Sequence, residues 1–306
     1  MNPRAGLLAR SRAMQRVAAT LDELGWDVEA RETAARGDAT ALAREAVARG
    51  LDAVLVAGGD GTVNETIQGL VGSDVALGAL PLGTMNVWVR ELGLSLDPVE
   101  AVRQLATGEV RRIDLGRANG RYFLLMAGLG LDAEAVLAVD GTHKRRFGPV
   151  AIIVAGLFVG LSKSGSRLRV RIDGHSSERR AALVTIGNTR LWAGTVQITN
   201  RASASDGLLD VCFFPGRTWL ARVRHFALVM IRRHEDDPEV TYLRAREIQI
   251  SARPTLPLQV DGESHGTTPA RIGIVPGALR VLVGHKAPPA LVDAPVEPLH
   301  LVRATL

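Results

Sequence analysis

Residues 51–66, "LDAVLVAGGDGTVNET", constrain this chain more than any other stretch. An apolar strand-like run ends in two adjacent glycines, an aspartate and a third glycine, and a helix-forming segment follows from Thr62. A buried parallel strand that turns into a helix is the unit of an open α/β sheet, and such sheets bind ligands at the carboxyl edge. Gly58, Gly59 and Gly61 let the backbone approach a ligand closely. The first amides of the following helix have no partner inside it and, with the helix dipole, suit a phosphate. Asp60 repels phosphate unless it handles a metal ion or a proton, as in a Mg²⁺-nucleotide site or beside a reacting hydroxyl. Taken alone, the segment is also readable as a tight turn with a capping aspartate. It is neither a Walker loop, which needs Gly-Lys-Ser/Thr, nor the dinucleotide Gly-x-Gly-x-x-Gly. A second corner, "LPLGTMNVWVREL", repeats the strand-turn-helix design at Gly83-Thr84, and "MNPRAG" offers an Asn2-Pro3 turn as a third wall.

Helix and strand patterns alternate up to about residue 110. "ARSRAMQRVAATLDELG" places Met14, Val17, Leu21 and Leu24 on one helical face, "WDVEARET" alternates like a strand, and "DATALAREAVARG" is again amphipathic. Such alternation implies a mostly parallel sheet with helices on both faces. After "EVRRIDLG" short strand-like segments punctuated by turns dominate, as in an antiparallel sandwich, with helical stretches near 132–162 and 217–233. The expected organisation is an α/β domain over 1–110, a β-rich domain over 111–285 and a tail over 286–306, with a site in the cleft between the domains.

Composition narrows the class. The single cysteine, Cys212, excludes an internal disulfide, and in the apolar "LLDVCFF" it reads as a buried inert thiol. No Cys/His cluster has zinc spacing. The apolar run 147–161, "FGPVAIIVAGLFVGL", is shorter than the ~20 residues a spanning helix needs. Nine Lys/Arg against two Asp/Glu between His143 and Arg180 give a local +7 in a chain of net +5, a combination suited to an anionic lipid surface. With only three lysines among 37 basic residues, that excess is equally a habit of arginine usage. Aromatics at 4% and the lack of a binding motif argue against nucleic acid.

Six segments, "NPRAG", "GGDGTVNE", "PLGTMN", "GLGLDAEAV", "SDGLLDV" and "VDGE", in this order and spacing, resemble the diacylglycerol kinase catalytic family. The likeness is to its soluble bacterial lipid kinases, relatives of sphingosine and ceramide kinases, and runs from residue 2 to about 285. The glycine loop alone is shared with NAD kinases and 6-phosphofructokinases. The resemblance implies an ATP-binding domain followed by a lipid-receiving one. It implies nucleotide contacts at Gly58, Gly59, Asp60, Gly61, Thr62, Val63 and Asn64, flanked by Thr33, Thr84 and Asn2. It implies a magnesium ion on Asp206 with the carbonyls of Ser203 and Leu208; without the family, Asp206-Gly207 is as readily a hairpin turn. Glu263 of "VDGE" matches the family's proton acceptor, with Asp60 organising metal and phosphate; the reverse assignment, Asp60 as base, is the alternative. No lysine lies in the motifs, so arginines such as Arg4 and Arg10 are the expected phosphate partners.

The expected activity is an ATP- and Mg²⁺-dependent lipid kinase, cytoplasmic and peripheral to the inner membrane face, with diacylglycerol, a sphingoid base or phosphatidylglycerol as acceptor. The rivals are an NAD kinase-like enzyme and an inactive lipid- or nucleotide-binding regulator. The oligomeric state is open, a homodimer included. The family pattern begins with a central apolar strand before the Asn-Pro turn, whereas Met1 directly precedes Asn2 here. That place in the sheet is expected to be vacant unless another segment, such as the C-terminal "LHLVRATL", pairs there.

Overall fold

The computed structural model describes residues 3–131, 133–134, 165–192, 194–216, 218–293, 296–297 and 303–305. Asn2, the run 147–161 and most of the helical stretch expected over 132–162 lie outside them. The chain divides into two units, Met1–Ile113 with Gly277–Leu306, and Asp114–Pro276.

In the first unit the elements alternate as α1 (Pro3–Glu23), β1 (Asp27–Glu29), α2 (Asp38–Ala48), β2 (Ala53–Gly58), α3 (Asp60–Leu70), β3 (Ala76–Pro81), α4 (Val87–Glu91) and α5 (Pro98–Ala106). Val17 and Leu21 bury the inner face of α1, while Leu24 stays 38% exposed beyond its end. Asp97 caps α5 by accepting from the Val99 and Glu100 amides, both at 3.0 Å, with Pro98 in the first turn. Helices α2 and α3 cross closely because a Cβ on Gly69 would lie 2.6 Å from both the Ala43 Cβ and the Thr40 carbonyl. Two expectations are corrected, one at the N-terminus and one at the glycine loop. Pro3 opens a helix, where its missing N–H costs nothing, so residues 3–6 are helical and form no turn. Helix α3 begins at Asp60, two residues before Thr62.

β4 (Glu109–Ala118) and, after the second unit, β17 (Ala270–Val283) carry the chain between units. Beyond β17, Leu291 and Val292 are buried, β18 (Val296–Glu297) pairs with β4, and β19 (Arg303–Thr305) enters the sheet. The sheet order is β1-β19-β2-β3-β17, with every neighbouring pair parallel. The place between β1 and β2 is therefore filled by the tail, with Val28 opposite Ala304 and Val54 opposite Thr305. Leu291 and Val292, next to Pro288 and Pro289, anchor the start of this tail.

The second unit holds β5 (Arg121–Phe123), β6 (Met126–Gly130), β7 (Ser166–Ile172), β8 (His175–Ala181), β9 (Leu183–Gly187), β10 (Leu191–Trp192), β11 (Val196–Gln197) and β12 (Leu209–Phe214). α6 (Trp219–Met230), β13 (Thr241–Ala245), β14 (Glu247–Ala252), β15 (Pro257–Val260) and β16 (Glu263–Thr267) follow. One sheet runs β17-β14-β7-β8 and the other β13-β12-β9-β6-β15-β16. Leu168, Val170, Ile248 and Ile272 from the first meet Leu129, Ile186, Val211, Phe213 and Leu258 from the second in one buried core, joined by Phe123 of β5, as in a sandwich. Each such side chain contributes about 1.5–3 kcal/mol. The polar strand β8, with Glu178, Arg179 and Arg180, is an edge, and its charges keep it from pairing further.

Candidate active site

The two glycine corners of the first unit are built as one piece. A Cβ on Gly83 would sit 2.4 Å from the Gly59 Cα, so the turns touch backbone to backbone. The buried Asn86 side chain closes the second turn, its Oδ1 accepting from the Gly83 amide at 2.9 Å and its Nδ2 donating to the Gly83 carbonyl at 3.0 Å. Asp60 then crosses between corners: its Oδ1 accepts from the Val87 amide at 2.7 Å and the Trp88 amide at 3.4 Å. It therefore caps α4, so the carboxylate of the first corner is held by backbone amides that follow the second. Gly59 precedes α3 and offers no side-chain cap to that helix's first turn.

The other loop positions divide by burial. Thr84 is exposed on the second turn, and Thr62 is half-buried, its Oγ1 filling the space a Cβ on Gly58 would need. Val63 and Asn64 are buried at 5% and 1% exposure, so neither side chain is presented to a ligand. Thr33 lies exposed in a loop tied to α3 through the Gly37 amide, which donates to the Glu65 carboxylate at 2.9 Å.

In the second unit, "VDGE" is the two-residue hairpin between β15 and β16, with Asp261 at φ 47° and Gly262 at φ 79°. The Asp261 carboxylate accepts from the Leu124, Leu125 and Met126 amides at 2.8, 2.9 and 2.9 Å, which locks the turn to the start of β6. Glu263 stands at the first position of β16 with its carboxylate 3.3 Å from the Arg121 guanidinium, both partly exposed. Arg121, the partner of Glu263, is not singled out by the sequence, where its only signal is a lone arginine in "NGRYF".

The turn at Asp206 is tied down from several sides. Asp206 Oδ1 accepts from the Leu208 amide at 3.1 Å, Oδ2 pairs with Arg244, and the buried Asp114 accepts from the Gly207 amide at 2.7 Å. Ser203 Oγ lies 3.4 Å from Ser205 Oγ. Arg244 also reaches within 3.5 Å of Asp210, its cross-strand neighbour. A dication on Asp206 would have to displace a guanidinium, so these donors do not fit a resident Mg²⁺ as they stand. Burial pushes the Asp210 carboxyl up to about 6, against the Tyr242 hydroxyl that donates to it at 2.6 Å. Burial also pushes the Cys212 thiol up, in keeping with an inert core residue.

Two features fall outside these motifs. His225, Asp237 and Glu239 form the one metal-compatible cluster among the described residues, but Arg224 already bridges both carboxylates at 2.9 and 2.8 Å. A cavity of about 740 Å³ is lined by Asn119, Arg169, Arg171, Gln249 and Arg271, and by none of the motif residues.

A nucleotide-type glycine corner on a parallel sheet, joined in sequence to a β-sandwich bearing an acid at a hairpin, defines a kinase of two-unit α/β and β-sandwich build. Comparison with known proteins agrees. The diacylglycerol kinase catalytic domain matches residues 1–118, and the YegS C-terminal NAD kinase beta sandwich-like domain matches residues 126–283. Diacylglycerol kinase of Bacillus subtilis is 28% identical over 271 residues, covering 88% of this chain and 89% of that one. Diacylglycerol kinase of Staphylococcus saprophyticus is 30% identical over 271 residues, covering 88% of each. A Bacillus anthracis crystal structure assigned to the diacylglycerol kinases superposes with a TM-score of 0.79 at 25% identity, covering 91% of both chains. The chain belongs to the diacylglycerol kinase family and is an enzyme of the phosphotransferase class.

Proposed function

We propose that the protein is an ATP-dependent lipid kinase that transfers the γ-phosphate to the hydroxyl of diacylglycerol or a closely related lipid at the cytoplasmic face of a membrane. The observation that supports this reading is the joining of the two corners through Gly59, Gly83 and Asp60, which holds in place the first turn of α3 where the polyphosphate would bind. In this reading the α3 amides receive the polyphosphate, and the Thr62 and Thr84 hydroxyls flank it. Asp60 acts as a positioning residue whose carboxylate holds α4. Glu263, aimed by Arg121, takes the proton of the lipid hydroxyl as that oxygen attacks phosphorus, and the leaving group is ADP. Mg²⁺ arriving with ATP would neutralise the phosphate charge. The Asp206 turn is left out of this scheme, because Arg244 holds its carboxylate.

The test is Glu263→Gln, which keeps the size and loses the basic oxygen. Phosphate transfer to lipid is expected to fall by at least about 10²-fold while ATP binding stays within about twofold. Equal loss of transfer and ATP binding, or unchanged transfer, would remove Glu263 from the chemistry.

A further inference from the structure

Helix α6 presents its apolar side to solvent. Nine of its twelve residues are apolar, yet only His225 and Val229 are buried. Trp219 is 57% exposed, Leu220 62%, Val223 40%, Met230 48% and, just past the end, Ile231 62%. At about 100° per residue these five and Ala227 fall within one arc of roughly 120°, opposite His225 and Val229. The helix is fixed in this orientation. Thr218 caps it, accepting from the Ala221 amide at 3.1 Å, and Arg224 clamps its inner edge to Asp237 and Glu239.

Charge frames the stripe. From Gly216 to His234 the sequence has five arginines and no acid. Arg222 lies at one edge of the arc and Arg232 at its C-terminal end, while Arg224 at the other edge and Arg233 are already paired with acids. The acids that follow are drawn into pairs: Glu235 with Arg201, Asp236 with Arg233, and Asp237 and Glu239 with Arg224.

We propose that α6 is a membrane-docking element whose Trp219/Leu220/Val223/Met230/Ile231 stripe lies in the headgroup–acyl boundary of a bilayer containing anionic lipid. The choice of a bilayer rests in part on the lipid-kinase reading above; the stripe itself does not. The exposed apolar area is roughly 500 Å², below the ~800 Å² per partner of a stable protein interface. Insertion needs no complementary protein surface, and tryptophan at one end with arginines along the edges is the composition of helices that lie in such a boundary. An embedded acceptor hydroxyl would then be met by an enzyme already at the surface that holds it.

The experiment uses vesicles of phosphatidylcholine mixed with phosphatidylglycerol. Trp219 emission should shift to the blue on mixing and be quenched by lipids brominated in the acyl chain; Trp26 and Trp88 are buried and Trp192 is half-buried, and Trp219→Phe, which keeps those three, is the control that must lose the shift and the quenching. Leu220→Glu with Ile231→Glu should weaken vesicle binding by at least about tenfold. Melting should be unchanged, as should transfer to a short-chain acceptor dispersed as monomers. Vesicle binding by the double variant equal to wild type would overturn the proposal. So would a wild-type dimer that the double variant splits, because the stripe would then be a self-interface. Trp219 insertion with no lipid phosphorylated would support docking and count against the kinase reading, so the two fail separately.

Discussion

Replacing Gly83 by alanine tests whether the two glycine corners form one unit. The new Cβ would sit 2.4 Å from the Gly59 Cα, 2.8 Å from Asn86 Oδ1 and 3.1 Å from the Gly59 amide nitrogen. Ordinary carbon–carbon contacts begin near 3.5 Å, so the corners must part by about 1 Å. Gly83 lies outside the left-handed region, so alanine meets no backbone penalty and the cost is steric. Overpacking of this kind costs about 1–3 kcal/mol. The same separation stretches the 2.7 Å bond from the Val87 amide to Asp60, a charge-assisted bond worth about 1.5–3 kcal/mol when intact. A net loss of about 3 kcal/mol is expected, which lowers the melting temperature by about 10 °C. ATP affinity should fall with it. Thermal unfolding and ATP titration measure both effects. Gly273→Ala is the control, because a Cβ there meets nothing closer than 3.4 Å. A Gly83→Ala protein that melts and binds ATP like wild type would refute the coupling.

Three further outcomes follow from particular contacts. Asp60→Ala should cost about 2–3 kcal/mol in chemical denaturation, whereas Asp60→Asn, which retains an acceptor oxygen for the Val87 amide, should stay within about 1 kcal/mol; equal losses would argue against the cap. Arg244→Leu frees the Asp206 carboxylate, so Mg²⁺ or Ca²⁺ added without nucleotide should raise the melting temperature of the variant but not of wild type; a rise in wild type would show that a dication displaces the guanidinium. The Asp210 carboxyl sits at about 6 instead of 3.8, so the folded state holds the proton more tightly and stability is lost as pH rises from about 4 through 6. That loss amounts to at most about 3 kcal/mol, and Asp210→Asn should flatten it; an unchanged pH profile would contradict the cause.

The alternation of α1 to α5 with β1 to β3 was legible because a buried parallel strand and an amphipathic helix leave different periods in sequence. The strands of the sandwich were legible where one face is apolar. β8 was not, since an edge strand such as "HSSERRA" carries no apolar alternation. The insertion of β19 between β1 and β2 pairs residues more than 240 positions apart, which local pattern suggests only as a candidate segment. At the site, the glycines were readable by type, but their mutual contact was not. The partners of Asp60, Glu263 and Asp206 are the Val87 amide, Arg121 and Arg244, each set by tertiary placement. Sequence therefore named the acids and left open what holds them.

Transfer of labelled γ-phosphate from ATP to a panel of lipids in mixed micelles, with NAD as a parallel acceptor, tests the central claim directly. Label on diacylglycerol or a related lipid, with NAD unlabelled, is the result expected. Label on NAD alone, or on no acceptor by a protein that binds ATP, would contradict it.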